Sequence, residues 1–228
     1  MRYSVVVPRI SADDRRHQLT EAALRVMARD GVAATTTRAI AAEANAPLAS
    51  FHYCFRSKEE LLRELTPTVV DRMLEQAMAD IKPGRDFEQM LRKSLYDIWT
   101  VMEAAAGEQQ VLYELTQYAL RTPGMEELAT RQYERYYDVA RDQLQALADA
   151  ADIEWALSLP VVSRMLVAFF DGLALGWLVD RDSAAARAAL DGFIEGLARM
   201  ARPRSEVSRR RSSRAAVGRD LPARAARG

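Results

Sequence analysis

The run TTTRAIAAEANAPLASFHYCF, residues 35–55, holds two short helical patterns separated by a sharp turn, and this punctuation constrains the fold more than any other part of the chain. Ile40, Ala41 and Ala44 fall on one face of the first pattern, and Thr35 or Thr36 can cap its start. Asn45 ends it, because asparagine tolerates the left-handed backbone of a tight turn. Pro47 fits the first turn of the second helix, where a missing N–H does no harm. Phe51 and Phe55, four residues apart, share its inward face. A short helix, a turn at Asn45–Ala46 and a second short helix make a helix-turn-helix, a unit that lays its second helix in the DNA major groove.

The flanks agree. Residues 12–31 read as an amphipathic helix with Leu19, Ala22, Ala23, Val26 and Met27 on one stripe, Asp13 and Asp14 at its start and Gly31 as its stop. Ser57 with Glu60 three residues later forms a capping box for a fourth helix running to about Lys82. Pro67 lies inside that pattern and is expected to kink or break it. Further helices are expected at about 85–104, 108–121, 125–150, 159–180 and 184–201, with no convincing strand pattern. The fold class is therefore all-α. Residues 1–57 form a three-helix helix-turn-helix DNA-binding domain, 58–202 a helical ligand-binding and dimerisation domain, and 203–228 a disordered basic tail.

Charge follows the same division. Residues 1–58 carry nine Lys/Arg against five Asp/Glu, 59–200 fourteen against twenty-five, and 201–228 nine against two. A basic head attracts a polyanion and an acidic body is repelled by it, although the Arg-rich, Lys-poor composition of the chain accounts for the tail equally well. One cysteine excludes an internal disulfide framework and fits a reducing cytoplasm. The opening MRYSVVVPRIS lacks the features of a signal peptide. The most apolar run, 165–179, is short for a bilayer span and contains Asp171.

On the second helix of the motif, Leu48, Ala49, Ser50, His52 and Tyr53 point in the directions that Phe51 and Phe55 leave open. Ser50 can meet a base edge, Ala49 or Leu48 a thymine methyl, and His52 and Tyr53 a phosphate or a base. Arg38 can make a bidentate contact to guanine, Thr36 and Thr37 can hold phosphates beside free backbone N–H groups, and Lys58 can reach another phosphate. The stretch TTTRAIAAEANAPLASFHYCFRSKEELL resembles the DNA-binding domain of the TetR family of transcriptional regulators, with Arg38, Ile40, Ala41, Ala44, Ala49, Ser50, His52, Tyr53, Phe55, Lys58 and Leu61–Leu62 at matching places. Asn45 stands for the usual glycine, Pro47 for a capping residue, and Cys54 for the usual histidine, which reads as a small buried filler. The resemblance implies a dimer that binds a DNA operator and a small-molecule effector held in the body, most simply as a repressor.

For that effector site the aromatic and polar residues Trp99, Tyr113, Gln117 and Tyr137 are the candidates, with Asp97 or Glu114 able to favour a cation. AFFDGLALGWLVD, residues 168–180, is similar to a dimerising segment in one branch of the family. Gly172 and Gly176 on one helix, and Gly192 and Gly196 on the next, each cost about 1 kcal/mol relative to alanine, a cost that close backbone approach explains. Gly172, Leu173, Gly176, Leu190, Phe193, Ile194 and Leu197 are accordingly assigned to a dimer interface in which two copies form a four-helix bundle. Catalysis is not expected. Cys54 and His52, two apart, point to different sides, and two histidines with one cysteine make no metal set, so neither metal nor cofactor is anticipated. Two other readings use the same head: control by a protein partner or by no ligand, and an architectural DNA binder that works through the basic tail.

Overall fold

The computed structural model describes residues 11–77 and 86–204. Along the chain run α1 (Ala12–Asp30), α2 (Thr37–Glu43), α3 (Leu48–Cys54), α4 (Lys58–Ala77), α5 (Phe87–Ala104), α6 (Ala106–Arg121), α7 (Glu126–Ala151), β1 (Ile153–Trp155), α8 (Leu159–Asp180), α9 (Ser183–Ala198) and β2 (Ala201–Pro203).

Local chemistry sets the boundaries of the first three helices. Ser11 caps α1 by accepting the Asp14 N–H, and Thr36 caps α2 by accepting the Ala39 N–H at 3.1 Å. Asn45 takes φ 49° and turns the chain between α2 and α3, as its residue type anticipates. Pro47 sits one position earlier than expected: it is the N-cap of α3, extended at φ −60° and ψ 145°, rather than part of its first turn. Gly31 ends α1 at φ 84° and ψ 157°, a conformation essentially confined to glycine, and its N–H donates to the Met27 carbonyl.

The helix of Pro67 is not broken. It runs without interruption from Lys58 to Ala77, and the hydroxyls of Thr66 and Thr68 on either side of the proline donate to the carbonyls of Leu62 and Glu64. The expected end of this helix near Lys82 lies outside the described residues. The expectation of no strand is also corrected. β1 and β2 form an antiparallel ladder with Ile153 opposite Pro203 and Trp155 opposite Ala201. Three residues a side are too few to display an alternating pattern. The ladder reaches into the segment read as tail: Pro203 belongs to β2, and Arg204 donates to the Asp149 carboxylate and the Ile153 carbonyl. Residues 205–228 lie outside the described residues.

Two apolar clusters fill the interior. The first gathers Leu19, Met27, Ile40, Phe51 and Phe55 from the head with Leu61, Leu65 and Val69 of α4, Leu112 and Leu115 of α6 and Leu128 of α7. The second joins Leu91, Leu95 and Trp99 of α5 to Leu144 of α7, Leu166 and Phe170 of α8, and Leu190 and Ile194 of α9. Met102 packs against both.

The head is also tied to α6 by polar contacts. The Val32 N–H donates to the Glu114 carboxylate at 2.6 Å, and Lys58 Nζ donates to the Val32 carbonyl at 2.6 Å. A Cβ on Gly31 would stand 3.2 Å from Glu114 Oε2. Gly31→Ala is therefore expected to lower stability by about 1–3 kcal/mol, chiefly through its backbone conformation, read as an earlier urea midpoint with an unchanged slope.

Candidate nucleic-acid interface and interior cavity

The head separates an inward and an outward face along α3. Phe51, Cys54 and Phe55 are buried, with the two phenyl rings 5.6 Å apart. Ala49, His52 and Tyr53 are exposed, Leu48 and Ser50 half so. Tyr53 is 80% exposed, far more than a tyrosine that serves packing. Arg38 is exposed near the start of α2 and has no acidic partner among the described residues. Thr36 spends its hydroxyl on its own helix cap and keeps an outward position; Thr37 is half-buried beside it. Arg16 donates to the Cys54 carbonyl at the end of α3, pairs with Glu64 and lies over the Phe55 ring, so α3 is braced from its C-terminal end.

Lys58 is placed differently from its sequence assignment as a phosphate contact. Its ammonium is half-buried, bonded to the Val32 carbonyl and 5.2 Å from the centre of the Tyr118 ring, and burial lowers its pKa. Arg56, which sequence reasoning passed over, is exposed two residues beyond α3 with an uncommitted guanidinium among the described residues. Its position directly after the inward Phe55 is the signal that could have found it.

A partly open cavity of about 110 Å³ lies where the two apolar clusters meet. Met73 and Leu74 of α4, Met102 of α5, Gln109 of α6, Tyr136 and Gln143 of α7, and Phe170 and Asp171 of α8 are on its wall. None of Trp99, Tyr113, Gln117 and Tyr137 is. Trp99 is sealed in the second cluster, edge-on to Trp177 at 5.7 Å. Tyr113 stands behind the wall and donates its hydroxyl to the Asp171 carbonyl at 2.9 Å. Gln117 lies in a shallow groove between α6 and the turn after α1, and Tyr137 lies under Arg164. The carboxylates considered for a cation are engaged elsewhere: Asp97 pairs with Lys93, and Glu114 holds the Val32 N–H.

Asp171, met in the sequence as a charge inside an apolar run, is the carboxylate that faces the cavity. Tyr133 donates to its Oδ2 at 2.9 Å. Burial pushes the Asp171 carboxyl above its ordinary pKa, and the Tyr133 hydrogen bond only partly opposes that. Burial also raises Tyr113 and Tyr133, so both remain protonated donors.

The expected dimer residues divide. Leu190, Ile194 and Leu197 are buried within the protomer, because the apolar stripe of α9 faces α5 and α8, and they cannot reach another molecule. Gly172 and Gly176 are exposed, and Leu173 and Phe193 are half-buried, Phe193 stacked on Phe169 at 3.8 Å. Around Gly172, Gly176, Gly192 and Gly196, nothing lies within 4 Å of where a Cβ would stand. The glycines therefore open an outer face of α8 and α9 rather than admit a neighbouring helix of the same protomer. Leu175 and Val179, 53% and 82% exposed, belong to that face. α8 spans Leu159–Asp180, the range expected from the sequence, and at 22 residues it has the length and composition of a membrane crossing. Its buried side nevertheless packs against α7 and α9.

Residues 19–65 match the model for bacterial regulatory proteins of the tetR family, and residues 87–199 match the model for the C-terminal part of BetI-type transcriptional repressors. The nicotine-responsive transcriptional repressor HdnoR of Paenarthrobacter nicotinovorans is 27% identical over 187 residues, covering 82% of this chain and 95% of its own. The multidrug binding protein EbrR, solved with imidazole, superposes with a TM-score of 0.58 at 26% identity, covering 84% of this chain and 97% of its own. A transcriptional regulator from Saccharomonospora viridis, solved with choline, has the same fold at a TM-score of 0.65 and 22% identity, covering 80% and 96%.

The raised Asp171 pKa fixes a sign. The folded chain holds this proton to higher pH than the unfolded chain does, so ionisation of Asp171 at neutral pH is a cost borne by the folded state. Asp171→Asn is expected to unfold at higher urea than the unaltered chain at pH 7. The gap should close as pH falls toward the ordinary aspartate value of 3.8. Equal midpoints at pH 7 would contradict the placement of an unpaired carboxylate here.

Proposed function

The chain belongs to the TetR family of bacterial regulatory proteins, and we propose that it works as a dimeric repressor that holds a palindromic operator until a small molecule occupies the body. The observation that carries this reading is that one unbroken helix serves both sites. α4 packs the head with Leu61, Leu62 and Leu65 and walls the cavity with Met73 and Leu74. The cavity, about 110 Å³, is below the usual range for an organic ligand, roughly 300–1,000 Å³. An effector larger than this extends into the open mouth of the cavity or displaces its wall, where Met73, Leu74 and Met102 are the side chains that can yield. Displacement of α4 is transmitted to the recognition helix it supports.

On the DNA side, α3 presents Ala49, Ser50, His52 and Tyr53 to the major groove, with Leu48 at its edge. Arg38 reads a base, Thr36 and Thr37 sit by phosphate, and Arg56 adds the charge that Lys58 spends on Val32. The outer face of α8 and α9, with Gly172, Gly176, Leu175, Val179, Leu173 and Phe193, pairs with its copy about a two-fold axis. The open glycines supply close approach and the exposed apolar side chains supply area. The effector of HdnoR, nicotine, and the imidazole bound to EbrR support a small nitrogenous effector here.

Selection of bound duplexes from a random pool is expected to return a palindrome, with Arg38→Ala losing about 1–3 kcal/mol of discrimination at one position per half-site. Failure of any sequence to be enriched would remove the repressor reading. Leu175→Glu and Val179→Glu are each expected to shift the chain from dimer to monomer in sedimentation velocity. Unchanged sedimentation in both variants would place the dimer contact elsewhere.

A further inference from the structure

We infer that the cavity is a binding site for a small protonated amine, its N–H⁺ held between the Asp171 carboxylate and the Gln109 side-chain carbonyl. This rests on the reading of the body as an effector domain and names the chemical class of the effector.

Two residues of the cavity wall, Asp171 and Gln109, each carry an acceptor that no donor meets among the described residues. Asp171 is the only charged residue among the described residues that line it, and no Lys, Arg or His lies on the wall. Oδ2 receives the Tyr133 hydroxyl; Oδ1 has no donor among the described residues. Gln109 is 5% exposed, and its Oε1 is buried without a hydrogen-bond partner. The orientation of that amide follows from its neighbour. The Tyr113 hydroxyl spends its hydrogen on the Asp171 carbonyl, so it can only accept from Gln109. With the amide NH₂ on the Tyr113 side, the oxygen is left without a donor. The Tyr113 hydroxyl thus ties Gln109 of α6 to the backbone carbonyl of Asp171 on α8.

A buried acceptor without a donor costs folding free energy, and a buried carboxylate without a cation costs more. One ligand group relieves both: a nitrogen that carries a positive charge and at least one hydrogen. A neutral alcohol supplies a donor without the charge. A quaternary ammonium supplies the charge but leaves Oε1 unmet. An anion is repelled by Asp171. The remaining wall fits a compact apolar body, with Met73, Val139, Leu166 and Phe170 around it and the Gln143 NH₂ already donating to Ser94. The rings of Tyr136 and Phe170 add attraction for a cation.

The test uses the full chain, with calorimetric titration at pH 7 of benzylamine, benzyl alcohol and benzyltrimethylammonium. Benzylamine is expected to bind at least about tenfold more tightly than either of the others, a ratio in the range of one charged hydrogen bond. Asp171→Asn should weaken benzylamine by more than about tenfold and leave benzyl alcohol within about twofold. Gln109→Leu should weaken benzylamine and leave the quaternary ion unchanged. Benzyl alcohol binding as tightly as benzylamine, or benzylamine affinity unmoved in both variants, would overturn the assignment. Release of the selected DNA duplex is read separately. Selective amine binding without release keeps this inference and removes the proposed induction. Release by neutral compounds in the absence of amine binding keeps induction and removes this inference.

Discussion

The backbone of Val32 is gripped from both sides, through the N–H of one peptide group and the carbonyl of the next, and the relation of head to body depends on that grip. Its N–H is held by the Glu114 carboxylate of α6, and its carbonyl by the Lys58 ammonium at the start of α4. Hydrogen bonds to charged groups contribute about 1.5–3 kcal/mol each, and here both converge on the turn that joins α1 to α2. Gly31 lets the turn come close enough, with a backbone conformation that a side chain would resist. Tyr118 of α6 reinforces the contact, its ring beside Lys58 and its hydroxyl donating to Glu59. Farther along, Arg72 of α4 spans Glu21 of α1 and Glu108 of α6. A head joined to the body through chain connectivity alone could swing. This head cannot turn without moving α4 or α6.

Both helices also reach the cavity. On α6, Gln109 faces the cavity and Tyr113 its outer wall, while Glu114 and Tyr118, within two turns, hold the head. On α4, Met73 and Leu74 face the cavity and Leu61 and Leu65 the head. Pro67 lies between these ends and removes one backbone donor, yet the flanking threonine hydroxyls bond carbonyls in the same turns and the helix continues. Residues of the cavity wall in turn carry destabilising features, a carboxylate without a cation and an orphaned amide oxygen. Groups that cost stability in the empty protein are what a ligand can relieve, and only differential contact of this kind lets a ligand shift a conformational equilibrium.

The head was legible in the sequence because its determinants are local. A capping threonine, an asparagine in the left-handed region and two phenylalanines four residues apart decide α2, the turn and α3 without reference to the rest of the chain. What failed depended on distant partners. Lys58 reads as a phosphate contact until Val32, 26 residues away, presents its carbonyl. Leu190, Ile194 and Leu197 form an apolar stripe whose spacing shows that they are buried but not whether the partner is α5 or another molecule. The tyrosines of α6 and α7 suit a cavity and a core equally well, and the structure puts Tyr136 on the wall and Tyr113 behind it. Asp171 was visible as the one charge in an apolar helix. Its meaning required Tyr133 and Gln109, which lie on two other helices.

In the proposed dimer, occupation of the cavity would change the separation of the two recognition helices through α4 and α6. The most direct measurement is the distance between spin labels at Ala49→Cys in the dimer, with Cys54 replaced by alanine, recorded by double electron–electron resonance with and without saturating benzylamine. The free dimer is expected to show distances that include the spacing of successive major grooves, about 34–36 Å, with a population displaced from it when the amine is bound. An identical distance distribution in the two states, with the cavity shown to be filled, would contradict it.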